Sequence, residues 1–261
     1  MSINVMTSLP RLFVPTDDLH RERVLLSGEA HHHLCHVLRA RIGDLILLLD
    51  GRGLCCQGRL EEIQRLQASV RVLRRWHESE HSLPVTLIQA LPKGDKFDLV
   101  LQKGTELGVS CFQPIETTHS IPVRGGRREA KSQERWQRII AAAARQCRRS
   151  ILPELKPICP LAESLEGTHH GLKLVLWEAG AQPLRAVLPA ERPAAASLLV
   201  GPEGGFSQQE ISTVTAAGFQ AVHLGPRILR SETASLAVTP VLQYLYGDWQ
   251  AAPTGQQPES A

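Results

Sequence analysis

The sequence predicts an α/β protein in two parts, a small β-rich module followed by a larger parallel sheet with helices on both faces. Three observations predict it. Up to about residue 80 the apolar runs are short and punctuated by turn signals, as in "DLILLLDGRGLCCQGRL". From "LPVTLIQAL" onward, strand-like and helix-like stretches alternate. Stretches such as "KLVLW" and "ASLLV" are nearly continuous in apolar residues, the pattern of parallel strands buried on both faces.

In the first part, "RLFVP" and "RVLLS" read as short strands, and Asp50-Gly51-Arg52-Gly53 turns one apolar run back on another as a hairpin. "ASVRVLRRW" is a further strand. Between them "SGEAHHHLCHVLRARIGD" reads as a short helix capped by Ser27, with Leu34 and Leu38 on one face and Gly43 as its stop. Short strands, one helix and tight turns predict a small barrel over residues 1–82. Over 83–248 the strands are expected at about 85–90, 111–116, 172–177, 196–200 and 221–224, and the helices at about 95–107, 132–148, 207–217 and 233–246. On these patterns alone the second part is an ordinary doubly wound sheet. The tail, 249–261, has almost nothing to bury and is expected to be disordered.

With 43% apolar and 21% charged residues the chain has the composition of a soluble globular protein, and no apolar run approaches the ~20 residues that span a bilayer. The first residues lack a secretory pattern, so a cytoplasmic protein is expected. Six cysteines at 35, 55, 56, 111, 147 and 159 contain no Cys-x-x-Cys pair and read as reduced, structural thiols. The net charge of +3 conceals an asymmetry: residues 83–150 carry twelve Lys and Arg against six Asp and Glu. A basic stretch of this kind suits a polyanion such as RNA. Arg138, Arg145 and Arg149 are expected on one helix face, at spacings of seven and four, with Arg124, Arg127, Arg128 and Lys131 leading into it. Such arginines neutralise phosphates and carry little sequence information. His32 and His36 have the spacing of a metal pair, but no His-Glu-x-x-His arrangement or distant ligand accompanies them, so no metal is expected.

Chemistry enters with "LLVGPEGGFS", where an apolar strand stops at Gly201 in a loop with almost no side chains. Ligands of an open parallel sheet bind beyond the carboxyl ends of its strands, and glycines there let backbone groups approach closely. Ser207 and Glu210 then fit a capping box that starts the next helix. "VHLGPRILRSETAS" repeats the device, ending a strand at Leu224 in Gly225-Pro226. Two such loops after consecutive strands make a cleft.

"LVGPEGGFSQQEI" together with "LGPRILRSETA" resembles the paired signature of the RsmE family, the bacterial 16S rRNA (uracil-1498-N3)-methyltransferases of the SPOUT superfamily. "RLFV" and "HHHLCHVLRARIGD" are similar to the family's N-terminal PUA-like β-barrel, which binds RNA; "LPKGDKFDLVLQKGTELGV" and "RWQRIIAAAARQCRRSILPEL" are similar to the front of its catalytic domain. One departure is "TTHSIPV", where many members carry an arginine before the serine and this chain has His119. The resemblance implies a SPOUT-type α/β domain with a deep trefoil knot, a homodimer, no metal, and S-adenosylmethionine as methyl donor. It places the cofactor among three loops: Trp177, Glu178 and Ala179; Val200 to Gly205 through Gly201, Pro202, Glu203 and Gly204; and Leu224 and Gly225 with Ile228 and Leu229. It also assigns His36 and Arg39 to the RNA-facing surface, the remaining histidines being expected in solvent.

Methylating N3 of a uridine removes an imide proton and spreads negative charge over O2 and O4, which a fixed arginine stabilises without itself losing a proton. Arg230 is the expected catalytic cation, with Arg11 of the barrel as a second, reaching toward the partner subunit's site. Glu203 and Glu232 flank the loops as candidate bases, although an acid in the first turn of a helix, as Glu232 is, is expected for dipole reasons alone. The expected substrate is 16S rRNA in the small ribosomal subunit. The alternatives are a related knotted enzyme acting on a ribose 2′-oxygen or a tRNA base, and a non-catalytic RNA-binding assembly factor.

Overall fold

The computed structural model describes residues 9–120, 125–166 and 171–250; the expected disordered tail from 251 onward lies outside the described residues. The described chain falls into two units, one formed by residues up to 80 with 144–152, the other by 81–143 with 153–250.

The first unit contains β1 (Arg11–Phe13), α1 (Thr16–Leu19), β2 (Arg23–Ser27), α2 (Gly28–His32) running into a single π turn (His33–Val37), β3 (Leu45–Leu49), β4 (Leu54–Ile63) and β5 (Gln67–His77). Its five-stranded sheet has the order β1-β3-β4-β5-β2, with β1 parallel to β3 and the other pairs antiparallel. The expected hairpin joins β3 to β4; Asp50 Oδ1 accepts from the N–H groups of Arg52 and Leu54 across the turn. Leu12 of one end strand and Val24 and Leu26 of the other share a single core with Leu34, Ile46, Leu48, Cys56, Leu60 and Val70. The sheet must therefore curl to bring both ends onto the same apolar cluster, which gives the barrel-like module. The helix ends sooner than Gly43: the π turn closes at Val37, and Arg39 takes a left-handed φ of 51°, while Gly43, at φ 98°, serves the turn into β3. Ser27 stands at the N-cap, but its side chain makes no capping bond.

The second unit contains β6 (Val85–Ala90), α3 (Lys96–Glu106), β7 (Cys111–Glu116), α4 (Gly126–Cys147, whose last turn belongs with the first unit), β8 (Glu154–Leu155), β9 (Cys159–Pro160), α5 (Leu161–Glu166), β10 (Leu172–Leu176), β11 (Gln182–Pro183), α6 (Leu184–Val187), β12 (Ala196–Val200), α7 (Gln208–Ala216), β13 (Gln220–His223) and α8 (Ser231–Tyr246). The strands pair in parallel in the order β11-β13-β10-β12-β6-β7-β8, with β9 also on β7. Alternation along the strands sends Ile88, Ala90, Val175 and Leu199 to one face, where they pack with Ile211 and Val214 of α7 and with Phe206 and Phe219. Leu87, Gln89, Leu174 and Leu198 point to the other face, and α3 and α8 cover it. Burial on both sides explains the continuous apolar runs.

The path departs from ordinary double winding after β13. Instead of covering its neighbours, the chain crosses the carboxyl ends of β10 and β12 to place α8 against α3, β6 and β12. Sequence patterns favour short, uncrossed connections and do not predict this step. Gln243 fixes its end. Fully buried, Gln243 accepts from Leu83 N–H at 3.0 Å and donates to Leu83 O at 2.9 Å and Gly108 O at 3.0 Å.

Burial also accounts for the thiols: Cys55 and Cys111 are pushed up to about 12 by desolvation, which keeps them protonated and inert at neutral pH.

Candidate functional site

Three loops meet at the carboxyl ends of β10, β12 and β13 and enclose a cleft of about 560 Å³. The volume lies in the range of small-molecule and cofactor sites. Its floor is apolar, from Leu176, Val200, Phe206 and Val222; its walls are Trp177 and Glu178, Gly201 to Glu203 with Gly205, and Leu224 to Arg230. Of the residues expected to hold a cofactor, all line the cleft except Gly204 and Ala179. Gly204 lies in the same loop against another neighbour: a Cβ there would stand 2.9 Å from Cβ of His119.

The loop that follows β12 is shaped from several sides. Gly205 has φ +69° and Gly225, in the third loop, φ +104°, values that side chains rarely adopt. His119 Nδ1 donates to Gly205 O at 3.1 Å, which fixes its tautomer. Gln89 Nε2 donates to Ser231 Oγ at 2.8 Å, and Ser231 Oγ donates in turn to Gly201 O, so the first turn of α8 holds the start of the loop from below. Glu203 accepts from Lys96 Nζ at 2.6 Å and, more weakly, from Lys93 N–H. Burial pushes the Glu203 carboxyl up, but Lys96 and the backbone donors outweigh it and hold it below its ordinary value.

The expected capping box at α7 is complete. Glu210 N–H donates to Ser207 Oγ, and Ser207 N–H donates to Glu210 Oε2. Thr118 N–H also donates to Glu210, at 2.8 Å. Burial pushes the Glu210 carboxyl up; the donors from Ser207 and Thr118 outweigh it and leave it lowered. With the folded value the lower one, this contribution is fully present above the ordinary carboxyl value of 4.5 and is lost as the pH falls through the depressed one. The Tm difference between wild type and Glu210→Gln should therefore be largest near neutral pH and shrink in acid. A difference constant with pH would contradict this role.

Arg230 is exposed at the rim, in the N-cap position of α8, and makes no ion pair or side-chain hydrogen bond among the described residues. Arg11 lies in the first unit, where its Nη1 donates to Arg148 O at 2.8 Å; desolvation lowers its pKa, opposed by Glu78. Glu232 is buried, its Oε2 without a partner among the described residues, and it does not line the cleft.

The expected RNA contacts divide. His36, Arg39 and Arg127 are exposed, as is Arg138, which pairs with Glu134. Arg124 and the side chain of Arg128 lie outside the described residues. Arg145 is half-buried, its pKa lowered by desolvation. Arg149 corrects the expected helical stripe: α4 ends at Cys147, Arg148 takes φ +69°, and Arg149 turns back to pair with Glu80 at 2.8 and 2.7 Å. Its side chain is only 10% exposed. Arg149→Ala should cost about 2 kcal/mol of stability, less than a fully buried pair because Glu80 keeps a quarter of its side chain in water. A stable Arg149→Ala would refute the assignment.

His31 corrects the expectation that the remaining histidines are solvated: it is buried, with Nε2 3.0 Å from Gln64 O. The His32 and His36 rings lie 4.7 Å apart, tilted by 38°, and among the described residues no three His, Cys, Asp or Glu side chains are grouped to hold a metal. Sequence reading missed Phe206 and Val222 in the floor and the Lys93–Lys96 segment behind Glu203. Lys93 and Lys96 follow a strand of the same parallel sheet, and that position was the available signal.

Residues 79–243 match the family model of the RNA methyltransferase domain, and residues 26–73 that of the RNA methyltransferase PUA domain. The chain is 36% identical to the ribosomal RNA small subunit methyltransferase E of Synechocystis sp., covering 86% of this chain and 74% of that protein. It is 30% identical to the enzyme of the same name from Mycobacterium bovis, over 87% and 88%. The crystal structure of a ribosomal RNA small subunit methyltransferase E from Neisseria gonorrhoeae bound to S-adenosyl methionine superposes with a TM-score of 0.83 at 36% identity, covering 92% of this chain and 99% of that one. A Legionella pneumophila protein in complex with bound SAM gives 0.84 at 34%, over 92% and 99%. With its fold, its three-loop cleft and these relatives in agreement, the chain belongs to the ribosomal RNA small subunit methyltransferase E family, of the SPOUT α/β fold with an N-terminal PUA-like domain.

Proposed function

We propose that this protein transfers a methyl group from S-adenosylmethionine to N3 of a uridine in 16S rRNA of the small ribosomal subunit. The observation that carries the reading is the cleft itself, walled by main chain from three strand ends, with Arg230, which has no side-chain partner among the described residues, at its rim. S-adenosylmethionine fits the site: an apolar floor, backbone donors and acceptors in the walls, and Ile228, a large apolar side chain left 84% exposed at the lip, where a ring would cover it. Bound there, it supplies an electrophilic sulfonium methyl group. Arg230 stabilises the negative charge that appears on a uracil oxygen as the imide proton leaves, and Arg11 is a second cation of the barrel toward RNA.

On the same reading, His36, Arg39, Arg127 and Arg138 contact RNA phosphates. The protein works in the cytoplasm as a homodimer. Val241, Tyr244 and Leu245 on α8, with Trp249 just beyond, leave an apolar face in solvent that a second copy would cover, and that supports the dimer. The crossing of α8 past the Gly201–Gly205 loop supports a threaded, trefoil-knotted path. Among the described residues no helix is long and apolar enough to cross a membrane.

The test is transfer from labelled S-adenosylmethionine to small subunits that lack the modification, followed by identification of the labelled nucleoside. 3-Methyluridine at a single site is the expected product. A ribose-methylated nucleoside, labelled tRNA, or no transfer at all would move the function to a sister activity or to a non-catalytic RNA-binding role.

A further inference from the structure

We propose that Glu203 and Lys96 form a positioning pair that holds the Gly201–Gly205 loop in its cofactor-binding shape, so that Glu203 acts on S-adenosylmethionine affinity and is not the base that takes the uracil proton. The inference rests on the methyltransferase reading and adds to it the part played by these two side chains.

Glu203 stands in the middle of the loop and lines the cleft, yet its carboxylate is engaged elsewhere. Oε1 lies 2.6 Å from Lys96 Nζ and 3.3 Å from Lys93 N, and Oε2 lies 3.4 Å from Lys93 N. Lys93 lies between β6 and α3 and Lys96 opens α3, the two separated by a bend at Gly94, φ +69°. That segment is itself fixed: Arg135 of α4 pairs with Asp95 at 3.2 Å and Asp98 at 3.0 Å, on either side of Lys96. His119 and Thr118, following β7, grip the other end of the loop through Gly205 O and Glu210. The loop between Gly201 and Ser207 is thus tied to the ends of two neighbouring strands, and Glu203 is its side-chain tie to the first.

A carboxylate in contact with an ammonium group is a poor proton acceptor, because taking the proton would break the ion pair. Nor does the pair explain itself as a stability device: both side chains are about a third exposed, and such pairs contribute little to folding. What it does control is which way the middle of the loop points, and that is a property the cofactor reads. The geometry also leaves the reacting side of the cleft without a carboxylate from this loop, which puts the electrostatic work on Arg230.

Calorimetric titration with S-adenosylmethionine and methyl transfer to small subunits at saturating cofactor would be measured for wild type, Glu203→Ala, Glu203→Gln, Lys96→Met and the Glu203→Ala/Lys96→Met double variant. The expected result is a Kd raised about tenfold in Glu203→Ala and in Lys96→Met, with the double variant no worse than either alone, since both lose one shared interaction. Glu203→Gln, whose amide oxygen still accepts from Lys96 and Lys93, should recover most of the affinity. The rate at saturating cofactor should fall less than about threefold throughout, below any loss expected for a missing base. An unchanged Kd in Glu203→Ala, or effects of the two single changes that simply add, would overturn the pairing. A rate loss of about 10²-fold or more in Glu203→Gln at unchanged Kd would instead make Glu203 the base. Wild-type protein that bound no S-adenosylmethionine would remove the methyltransferase reading itself, a result distinguishable from failure of the pair alone.

Discussion

Arg230→Ala should lower the rate of methyl transfer at saturating substrates by about 10²- to 10³-fold while S-adenosylmethionine binds within about threefold of wild type. The expectation follows from where the residue stands. Its backbone closes the third loop and caps α8, so the guanidinium is carried on the end of a helix whose first turn is bonded to Gly201 through Ser231. Its side chain is exposed and has no partner among the described residues, which leaves it open toward the developing charge on the uracil ring. On the proposed reading the cofactor is held by main chain, so its binding should hardly change with the truncation. Arg230→Lys should recover only part of the rate, because an ammonium offers a point charge in place of a planar fork. Single-turnover transfer and calorimetry separate the two quantities. Full activity in Arg230→Ala, or loss of cofactor binding with it, would contradict this role.

The largest effect on stability should come from Gln243→Leu. The leucine fills much the same volume but leaves Leu83 N–H, Leu83 O and Gly108 O without their partner in a fully buried place. Unsatisfied buried groups cost about 1–3 kcal/mol each, so a loss of about 3–5 kcal/mol is expected. For a unit of this size that is a fall in Tm of roughly 10 °C. The three bonds tie the end of α8 to the start of β6 and to the turn before β7, so the same variant should loosen the crossing that carries Arg230. Thermal unfolding within about 1 kcal/mol of wild type would show that water or a shifted backbone replaces the amide.

Most of the second unit was legible because its signals are local. The five strands expected there correspond to β6, β7, β10, β12 and β13 with ends differing by a residue or so, since continuous apolar runs bounded by Gly and Pro leave little choice of register. The capping box at Ser207 and Glu210 was equally local, and it formed. What the patterns could not supply was order. That β12 lies between β10 and β6, and that the chain crosses back over β10 and β12 to reach α8, depends on contacts between segments far apart in sequence, and only the resemblance to a known family pointed that way. The short β8, β9 and β11, of two residues each, are defined by their partners and carry no period of their own. The same limit governs the site. Gly201 to Gly205 and Leu224 to Leu229 could be read because glycine and proline have few other reasons to cluster after a strand. The pairing of Glu203 with Lys96, 107 residues earlier, and of Arg149 with Glu80, could not, because a surface charge and an anchored one look alike in sequence.

The most direct test of the three-loop cleft as the cofactor site is a crystal structure of the protein grown with S-adenosylmethionine. The ligand is expected in that cleft, bonded chiefly to main chain of Gly201–Gly205 and Leu224–Leu229, covered by Ile228, with its methyl group open toward the Arg230 side. A cofactor bound elsewhere, or in the cleft with its methyl group turned away from Arg230, would contradict it.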